Sequence, residues 1–209
     1  MPFCKKHKII FIHIPKCAGS SIEVFFDLQH KSCLYEPKNI LSVILQNKKV
    51  AFAPQHFTIE MVKNYLLMQG VNYEEFLKFT FVRNPYDRMV SEFLWQVEHK
   101  KLNSHISKHD FETWLKAALS SEKINDHLLP QIAFTTEKPN NHFDFIGRVE
   151  RFNDDFSKLL SMIGISSKND YPLLNCTHYK DKRSILSTSA KGIIFKYFIK
   201  DFEVFEYPK

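Results

Sequence analysis

Short apolar runs alternate with amphipathic segments along the chain. Mostly apolar residues occupy positions 9–14, 50–53, 76–82 and 143–146. Such short runs, bounded by polar residues, are typical of strands that are buried on both faces of a sheet. The pattern therefore predicts four buried strands.

Between these runs, apolar residues recur at the three- and four-residue spacing of amphipathic helices. The predicted helices cover residues 20–28, 59–67, 85–99, 111–119, 153–162 and 187–205. We expect Pro85 at the first position of the third helix and Asp110 as the N-cap of the fourth. Strands that alternate with helices predict an α/β fold, with a central parallel sheet and helices on both faces.

Chain length and one irregular stretch define the expected organisation. Residues 1–209 are few enough for a single domain and numerous enough to bury a core. Residues 166–188 are polar and lack a clear period. Loops of this length are often lids or binding segments. We therefore predict one domain with a lid at 166–188.

The charge of the chain points to anionic partners. The formal net charge is +6 and the isoelectric point is about 9.0. This balance suits nucleotides, acidic glycans, nucleic acid or a membrane surface, and it equally suits a lysine-rich solvated surface. The longest basic run, 5–8, is too short for a nucleic-acid-binding tail. We therefore expect no nucleic-acid partner.

The cysteines and the first apolar run bear on location. Cys4, Cys17, Cys33 and Cys176 show no metal-ligand spacing, so we expect free thiols in a reducing compartment. The run at 9–14 is far too short for a signal peptide or a membrane span. These features predict a cytoplasmic chain without a membrane span. A membrane-anchored enzyme without its anchor would show the same pattern.

The loop after the first strand has the composition of an anion site. Amides at a helix N-terminus carry the positive end of the helix dipole, and Lys16 adds an ammonium group. Gly19 allows a left-handed conformation or a close approach of phosphate. Ser20 and Ser21 can cap the helix and donate to the same anion. The alternative is an ordinary strand–helix turn with a serine cap.

A second candidate loop follows the third strand. Arg83 ends that strand and can form a forked contact with phosphate. Ser91 lies about two helical turns later and can reach the same group. Arg88 either shares this role or forms a structural ion pair with Asp87 or Glu92, and we expect the ion pair.

Both loops resemble the donor-binding elements of one enzyme family. Residues 12–21 resemble the 5′-phosphosulfate loop of sulfotransferases that use 3′-phosphoadenosine 5′-phosphosulfate (PAPS), and residues 81–91 resemble their 3′-phosphate element. Residues 127–131, 145–152 and 201–207 are also similar to segments of this family. The similarity is to the carbohydrate sulfotransferase branch, which includes the heparan and chondroitin enzymes.

The resemblance implies a P-loop-like fold and PAPS as the donor. The residues that it assigns to the 5′-phosphosulfate are Lys16, Cys17, Ala18, Gly19, Ser20 and Ser21. It assigns the 3′-phosphate to Arg83 and Ser91. Lys182 and Arg183 fall where family members close over the nucleotide, so one of them contacts the 3′-phosphate or both belong to a solvated loop.

A hydroxyl acceptor requires a general base at neutral pH. His56 follows the second strand, and sites of open α/β sheets lie beyond the carboxyl ends of the strands. We therefore expect His56 beside Lys16 and Arg83, and it also stands where the carbohydrate branch carries its catalytic histidine. The alternative role for His56 is a helix cap. His127 is the second choice of base, and we assign it with Gln131 to substrate binding.

The predicted reaction is a direct in-line transfer. His56 takes the acceptor proton, and Lys16 stabilises charge on the oxygen that leaves the sulfur. A sulfuryl group carries less negative charge than a phosphoryl group, so we expect no metal requirement. A glycan is the leading acceptor, and a lipid, a small metabolite or a protein tyrosine stays open.

Two other functions compete with this prediction. A P-loop kinase requires a Gly-Lys-Ser/Thr loop and a metal-binding aspartate, but here Lys16 precedes Gly19. A catalytically silent nucleotide-binding protein has the same fold, yet it does not need the combination of Lys16, Arg83 and His56. The sequence therefore favours the sulfotransferase.

Overall fold

We analysed a computed structural model that describes residues 3–28, 41–45, 48–99, 102, 106–166, 171 and 182–209. Its strands are β1 (Phe3–Cys4), β2 (Ile9–Ile12), β3 (Leu41–Leu45), β4 (Lys48–Phe52), β5 (Leu77–Val82), β6 (Lys123–Asn125) and β7 (Phe145–Arg148). Its helices are α1 (Gly19–Phe25), α2 (Ile59–Met68), α3 (Pro85–Glu98), α4 (Lys108–Ser120), α5 (Ile132–Thr135), α6 (Phe152–Ile163), α7 (Thr188–Tyr197) and α8 (Ile199–Val204).

The central sheet has four strands in the order β1-β2-β5-β7. Strands β2, β5 and β7 run parallel, and β1 pairs with β2 in the antiparallel direction. Ile12 pairs with Thr80, and Val82 pairs with Arg148, so the carboxyl ends of the three parallel strands lie along one edge. The predicted α/β class with a central, mainly parallel sheet is confirmed.

Both faces of this sheet are covered by helices. Ile9 and Phe11 point into a cluster with residues of α1 and α6. Ile10 and Ile12 point the other way, into a larger cluster with residues of α3, α7 and α8. Successive residues of a strand face opposite sides. The continuous apolar run of β2 is therefore explained by burial on both faces.

A second sheet, in the order β3-β4-β6, was not predicted. The run at 50–53 was expected in the central sheet, and this expectation was wrong because β4 pairs with β3 and β6 instead. Val50 and Phe52 are fully buried, which gives β4 the same apolar signature as a central strand. Periodicity reports burial of a strand and does not identify its partners.

Several element boundaries differ from the predictions for local reasons. Strand β2 ends at Ile12, two residues early. Helix α4 begins at Lys108, and the Ser107 hydroxyl accepts a hydrogen bond from the Asp110 amide at 3.1 Å. The predicted Asp110 cap was therefore wrong. The last predicted helix is divided at Phe198 into α7 and α8.

Other expectations concern thiols, the lid and the membrane. Cys4 and Cys17 are free thiols, as expected, whereas Cys33 and Cys176 lie outside the described residues. Most of the predicted lid, 167–170 and 172–181, also lies outside them. Within the described part of the chain, no helix is long and apolar enough to cross a membrane.

Candidate active site

The loop between β2 and α1 contains two residues in the left-handed region. Lys16 has φ 66° and Ala18 has φ 63°. Left-handed residues occur in anion-binding nests, but here the Cys17 amide between them donates to the Ile14 carbonyl at 3.2 Å. Helix α1 begins at Gly19, and its N-cap, Ala18, makes no side-chain cap bond. Ser20 and Ser21 therefore lie in the first turn, and their predicted capping role was wrong.

Position 19 needs glycine because the His13 ring leaves no room for a Cβ atom, and not because of the backbone angle φ. Among the described glycines only Gly70 and Gly164 have positive φ, so the left-handed expectation for Gly19 was wrong. A Cβ atom at Gly19 would lie 1.9 Å from Nε2 of His13. His13 is buried and its Nδ1 lies 2.7 Å from the Glu23 carboxylate. Glycine thus lets the loop pack directly on the His13 ring.

We expect Gly19→Ala to destabilise the fold by about 1–3 kcal/mol, because the new methyl group must displace a buried, hydrogen-bonded ring. Urea unfolding measures the effect. Gly192→Ala in α7 is the matched control, because a Cβ there meets nothing within 4 Å. That change should stabilise by about 0.5–1 kcal/mol. Equal stabilities of the two variants would contradict the assigned contact.

Gln131 connects the two candidate loops. Its side chain is fully buried. Its amide donates to the Arg83 carbonyl at 2.8 Å, and its oxygen accepts from the Arg83 amide at 2.9 Å. The Cys17 thiol also donates to that oxygen at 3.4 Å, and burial raises the pKa of this thiol to about 12. These bonds position Arg83, and the substrate contact predicted for Gln131 stays a prediction.

The two candidate arginines have different environments. Arg83 is half-buried, and its Nη1 donates to the carbonyl of Lys16 at 3.2 Å, so the two predicted donor loops meet. Arg88 is fully buried. Its guanidinium donates to three carbonyls, those of Pro15, Leu129 and His127. The expected ion pair of Arg88 with Asp87 or Glu92 was therefore wrong.

The Lys16 ammonium rests on an aromatic ring. Nζ lies 4.7 Å from the centroid of the Trp95 ring, a cation–π distance. Burial lowers the pKa of Lys16 to about 8, although the charge of Glu92 acts in the opposite direction. The Trp95 ring in turn lies 5.5 Å from the His127 ring. Ser91 is half-buried on α3, one turn before Trp95.

His56 forms a buried pair with an aspartate. Its Nδ1 lies 2.9 Å from Oδ2 of Asp126, which also accepts the Ala53 amide at 2.8 Å. A carboxylate can only accept here, so Nδ1 carries the proton and Nε2 has the lone pair. The Gln55 amide nitrogen lies 3.2 Å from Nε2 and donates to it. Burial lowers the pKa of His56 to about 4, so the ring is neutral at physiological pH.

Two further histidine–carboxylate pairs flank His56. The His13 ring, paired with Glu23, lies 4.7 Å from the His56 ring. The His127 ring lies 5.1 Å away on another side, and its Nδ1 is 2.7 Å from Glu92. His13 packs against Gly19 at the end of the loop between β2 and α1. The row therefore connects His56 to the loop before α1 through His13, and to Glu92 and Trp95 of α3 through His127.

Three of these side chains are also near enough to share a cation. Ligand atoms of His56, Asp126 and His127 lie within 4.8 Å of one another. Nδ1 of each histidine is already within hydrogen-bond distance of a carboxylate. The expectation that no metal is needed stays a prediction.

The end of the predicted lid lies beside the second loop. Arg183, in a short 3-10 helix at Lys182–Ile185, contacts Asp87 of α3 with Nε–Oδ1 2.8 Å and Nη2–Oδ2 2.5 Å. This forked pair raises the pKa of Arg183 through hydrogen bonding and charge. The side chain of Lys182 lies outside what the structure describes. A phosphate contact by either residue stays a prediction.

Sequence reasoning missed the carboxylates of the histidine pairs. Asp126 directly precedes the segment 127–131 that was already singled out, and a histidine base usually needs an orienting acceptor. That requirement could have directed attention to Asp126. Glu92 was predicted only as a possible ion-pair partner of Arg88, and nothing in the sequence indicated its contact with His127.

Comparison with known proteins identifies the family of this chain. A profile described as the sulfotransferase family matches residues 1–208. Human (Homo sapiens) carbohydrate sulfotransferase 9 is 20% identical over 243 residues, 97% of this chain and 52% of that protein. An uncharacterized protein of Archaeoglobus fulgidus is 28% identical over 100 residues, 47% of this chain and 76% of that protein. No solved structure matches significantly.

The α/β domain, with helices on both faces of a mainly parallel sheet, has the P-loop-like fold of this family. The chain belongs to the sulfotransferase family, as the resemblance of its two loops indicated. It spans about half the length of the human relative, 52%.

Proposed function

We propose that this chain transfers a sulfuryl group from PAPS to a hydroxyl group of a carbohydrate. Family membership supports sulfuryl transfer, and the name of the human relative supports a carbohydrate acceptor. The observation that carries the donor assignment is the meeting of the two loops, where Arg83 Nη1 donates to the Lys16 carbonyl. Two separate cationic side chains at one sheet edge suit a nucleotide with two phosphate groups.

The donor is held by the two loops. The 5′-phosphosulfate lies over residues 16–21, with the Lys16 ammonium on the bridging oxygen. Arg83 and Ser91 bind the 3′-phosphate, and Arg183 closes over it by exchanging its contact with Asp87 for the phosphate. The Lys16 side chain reaches the donor by leaving the Trp95 ring, on which it rests in the free protein.

His56 is the general base. The acceptor hydroxyl replaces the Gln55 amide at Nε2 of His56 and gives its proton to this nitrogen. The acceptor oxygen forms a bond to sulfur while the bond from sulfur to the bridging phosphate oxygen breaks. The products are a sulfate ester and 3′,5′-adenosine bisphosphate. Asp126 holds Nδ1–H and stabilises the imidazolium that forms.

Bisphosphate binding tests the donor assignment. In a thermal-shift experiment with EDTA present, 3′,5′-adenosine bisphosphate should raise the melting temperature, whereas ADP and ATP should give much smaller shifts. Arg83→Ala should remove most of the difference between the bisphosphate and ADP. In a parallel series with Mg²⁺ in place of EDTA, a metal-dependent response to ATP with none to the bisphosphate would instead favour a kinase. The same result would overturn the expectation that no metal is needed.

The pH dependence of nucleotide binding reports on Lys16. The charge of the nucleotide raises the pKa of Lys16 above its free value of about 8. The affinity that the ammonium contributes is therefore complete below pH 8 and is lost as pH rises through the pKa of the complex. We expect calorimetry to show Kd rising above pH 8, by at most about tenfold per pH unit.

Lys16→Arg is the matched control, because a guanidinium stays charged over this range. Its profile should be flat where that of the wild type rises. A flat wild-type profile, or an equal rise in Lys16→Arg, would remove Lys16 from the nucleotide site. The cytoplasmic location and the absence of a nucleic-acid partner stay predictions from the sequence.

A further inference from the structure

The backbone between β5 and α3 is held by side chains from distant segments. Gln131 bonds to both the amide and the carbonyl of Arg83. The next amide, that of Asn84, donates to Oε1 of Glu150 at 2.6 Å. Three successive backbone groups are therefore bonded to side chains. Backbone that is fixed at this point also fixes the direction in which the Arg83 side chain leaves the chain.

Glu150 is itself held by the C-terminal segment. The Tyr207 hydroxyl donates to Oε2 of Glu150 at 3.1 Å. Tyr207 is 7% exposed, and burial raises its pKa, so the hydroxyl keeps the proton that it donates. Glu150 is exposed, and a long exposed side chain has many rotamers in the absence of a partner. The Tyr207 hydroxyl thus restricts the Glu150 carboxylate to the position from which it bonds to Asn84.

The position of Tyr207 is fixed by bonds to its own segment and to β7. Its amide donates to the Phe202 carbonyl at 3.0 Å. The Arg148 guanidinium lies 4.7 Å from the centroid of the Tyr207 ring, a cation–π distance. Nη2 of the same guanidinium donates to the Phe205 carbonyl at 2.6 Å. The end of the chain is therefore docked on the last residue of β7.

The same C-terminal segment holds Gln131. Asp201 is fully buried, and its Oδ2 accepts the Gln131 amide at 2.8 Å. Its Oδ1 accepts the Ile132 amide at 3.0 Å. Residues 201–207 therefore support Arg83 by two routes, through Gln131 and through Glu150. None of these C-terminal residues takes part in the proposed reaction.

We propose that Tyr207 is a positioning residue for the 3′-phosphate site, because it holds Glu150 on the backbone of residues 83–84 and so fixes the direction of Arg83. Tyr207 has this role only if Arg83 binds the donor, so the role rests on the proposed function. The loop between β2 and α1 has supports of its own, the Cys17 amide bond and the packing of Gly19. Binding of a 5′-phosphate alone should therefore depend little on Tyr207.

Calorimetry with 3′,5′-adenosine bisphosphate and with AMP, which lacks the 3′-phosphate, tests this role. In Tyr207→Phe we expect the Kd of the bisphosphate to rise about three- to tenfold, because Glu150 loses the donor that restricts it. The Kd of AMP should change by less than about twofold. Tyr65→Phe on α2 is the matched control and should leave both Kd values unchanged.

Glu150→Asp checks the same route from its other end. It keeps the charge of an exposed side chain and shortens its reach by one methylene group, so it should also reduce the preference for the bisphosphate. This variant tests the role even if Tyr207→Phe does not fold. An unchanged preference in both variants, or an equal rise of both Kd values, would overturn the positioning role. Equal affinity of the wild type for the two nucleotides would instead contradict the donor assignment, and the role of Tyr207 with it.

Discussion

His56→Ala should strongly reduce the rate of sulfuryl transfer while nucleotide binding persists. We expect kcat to fall by about 10²–10⁴, the usual contribution of a positioned general base. The Kd for 3′,5′-adenosine bisphosphate should change little, because His56 contacts the acceptor side of the proposed site. Turnover assays with PAPS and calorimetry with the bisphosphate measure the two quantities separately.

Asp126→Asn tests whether His56 acts as a base only when Asp126 holds its ring in the correct orientation. The carboxamide keeps the shape of Asp126 but no longer fixes Nδ1–H on His56. We expect a loss of turnover of about 10²–10⁴, similar to that of His56→Ala. His109→Ala on α4 is the control, because this exposed histidine lies outside the candidate site.

Unchanged turnover in His56→Ala, together with a loss of turnover in His127→Ala, would show that His127 is the general base.

Arg88→Met should be the most destabilising single change in the candidate site. It leaves three carbonyl groups without their buried donor, those of Pro15, Leu129 and His127. It also removes the positive charge that opposes the burial-induced rise in the pKa of Asp201, which stands at about 6. We expect a loss of about 3–5 kcal/mol in the free energy of unfolding.

This loss is a large part of the total stability of a typical domain, about 5–15 kcal/mol. Urea unfolding followed by circular dichroism measures it. Lys200→Met is the control, because Lys200 and Glu203 are both exposed and form an i,i+3 ion pair. Such a pair contributes about 0–1 kcal/mol. Equal midpoints for the two variants would show that the Arg88 bonds contribute nothing to folding.

The central sheet and the two loops were predictable because their signals are local. The apolar run of β2 reports burial on both faces, and the positions of Lys16 and Arg83 after their strands place them at one edge. The structure brings these two residues together through one hydrogen bond. Strand order along the chain was sufficient for that inference.

The partners of the histidines were not predictable, because they depend on packing between distant segments. Asp126 lies 70 positions from His56, and Glu92 lies 35 positions from His127. Arg88 had charged neighbours in sequence, yet it bonds to carbonyl groups on two other segments. The spacing of charges along a helix predicts ion pairs between sequence neighbours. It cannot predict hydrogen bonds to carbonyl groups that tertiary packing brings close.

The small sheet escaped prediction for a different reason. Strand β6 has three residues, and only its central residue, Ile124, is buried. A strand of three residues is too short to show a recognisable alternation of apolar and polar positions. Its effect is nevertheless large, because Asp126 directly follows it.

Because of the small sheet, the residues proposed for turnover and the loops proposed for nucleotide binding follow strands of different sheets. Ala51 of β4 pairs with Asn125 of β6, so the ends of these strands present His56 and Asp126 side by side. The two loops that we propose to bind the nucleotide follow strands of the other sheet. Local opening of one unit can leave another intact. A purified sample can therefore be fully occupied by nucleotide and only fractionally active, so active-site titration must count turnover rather than bound bisphosphate.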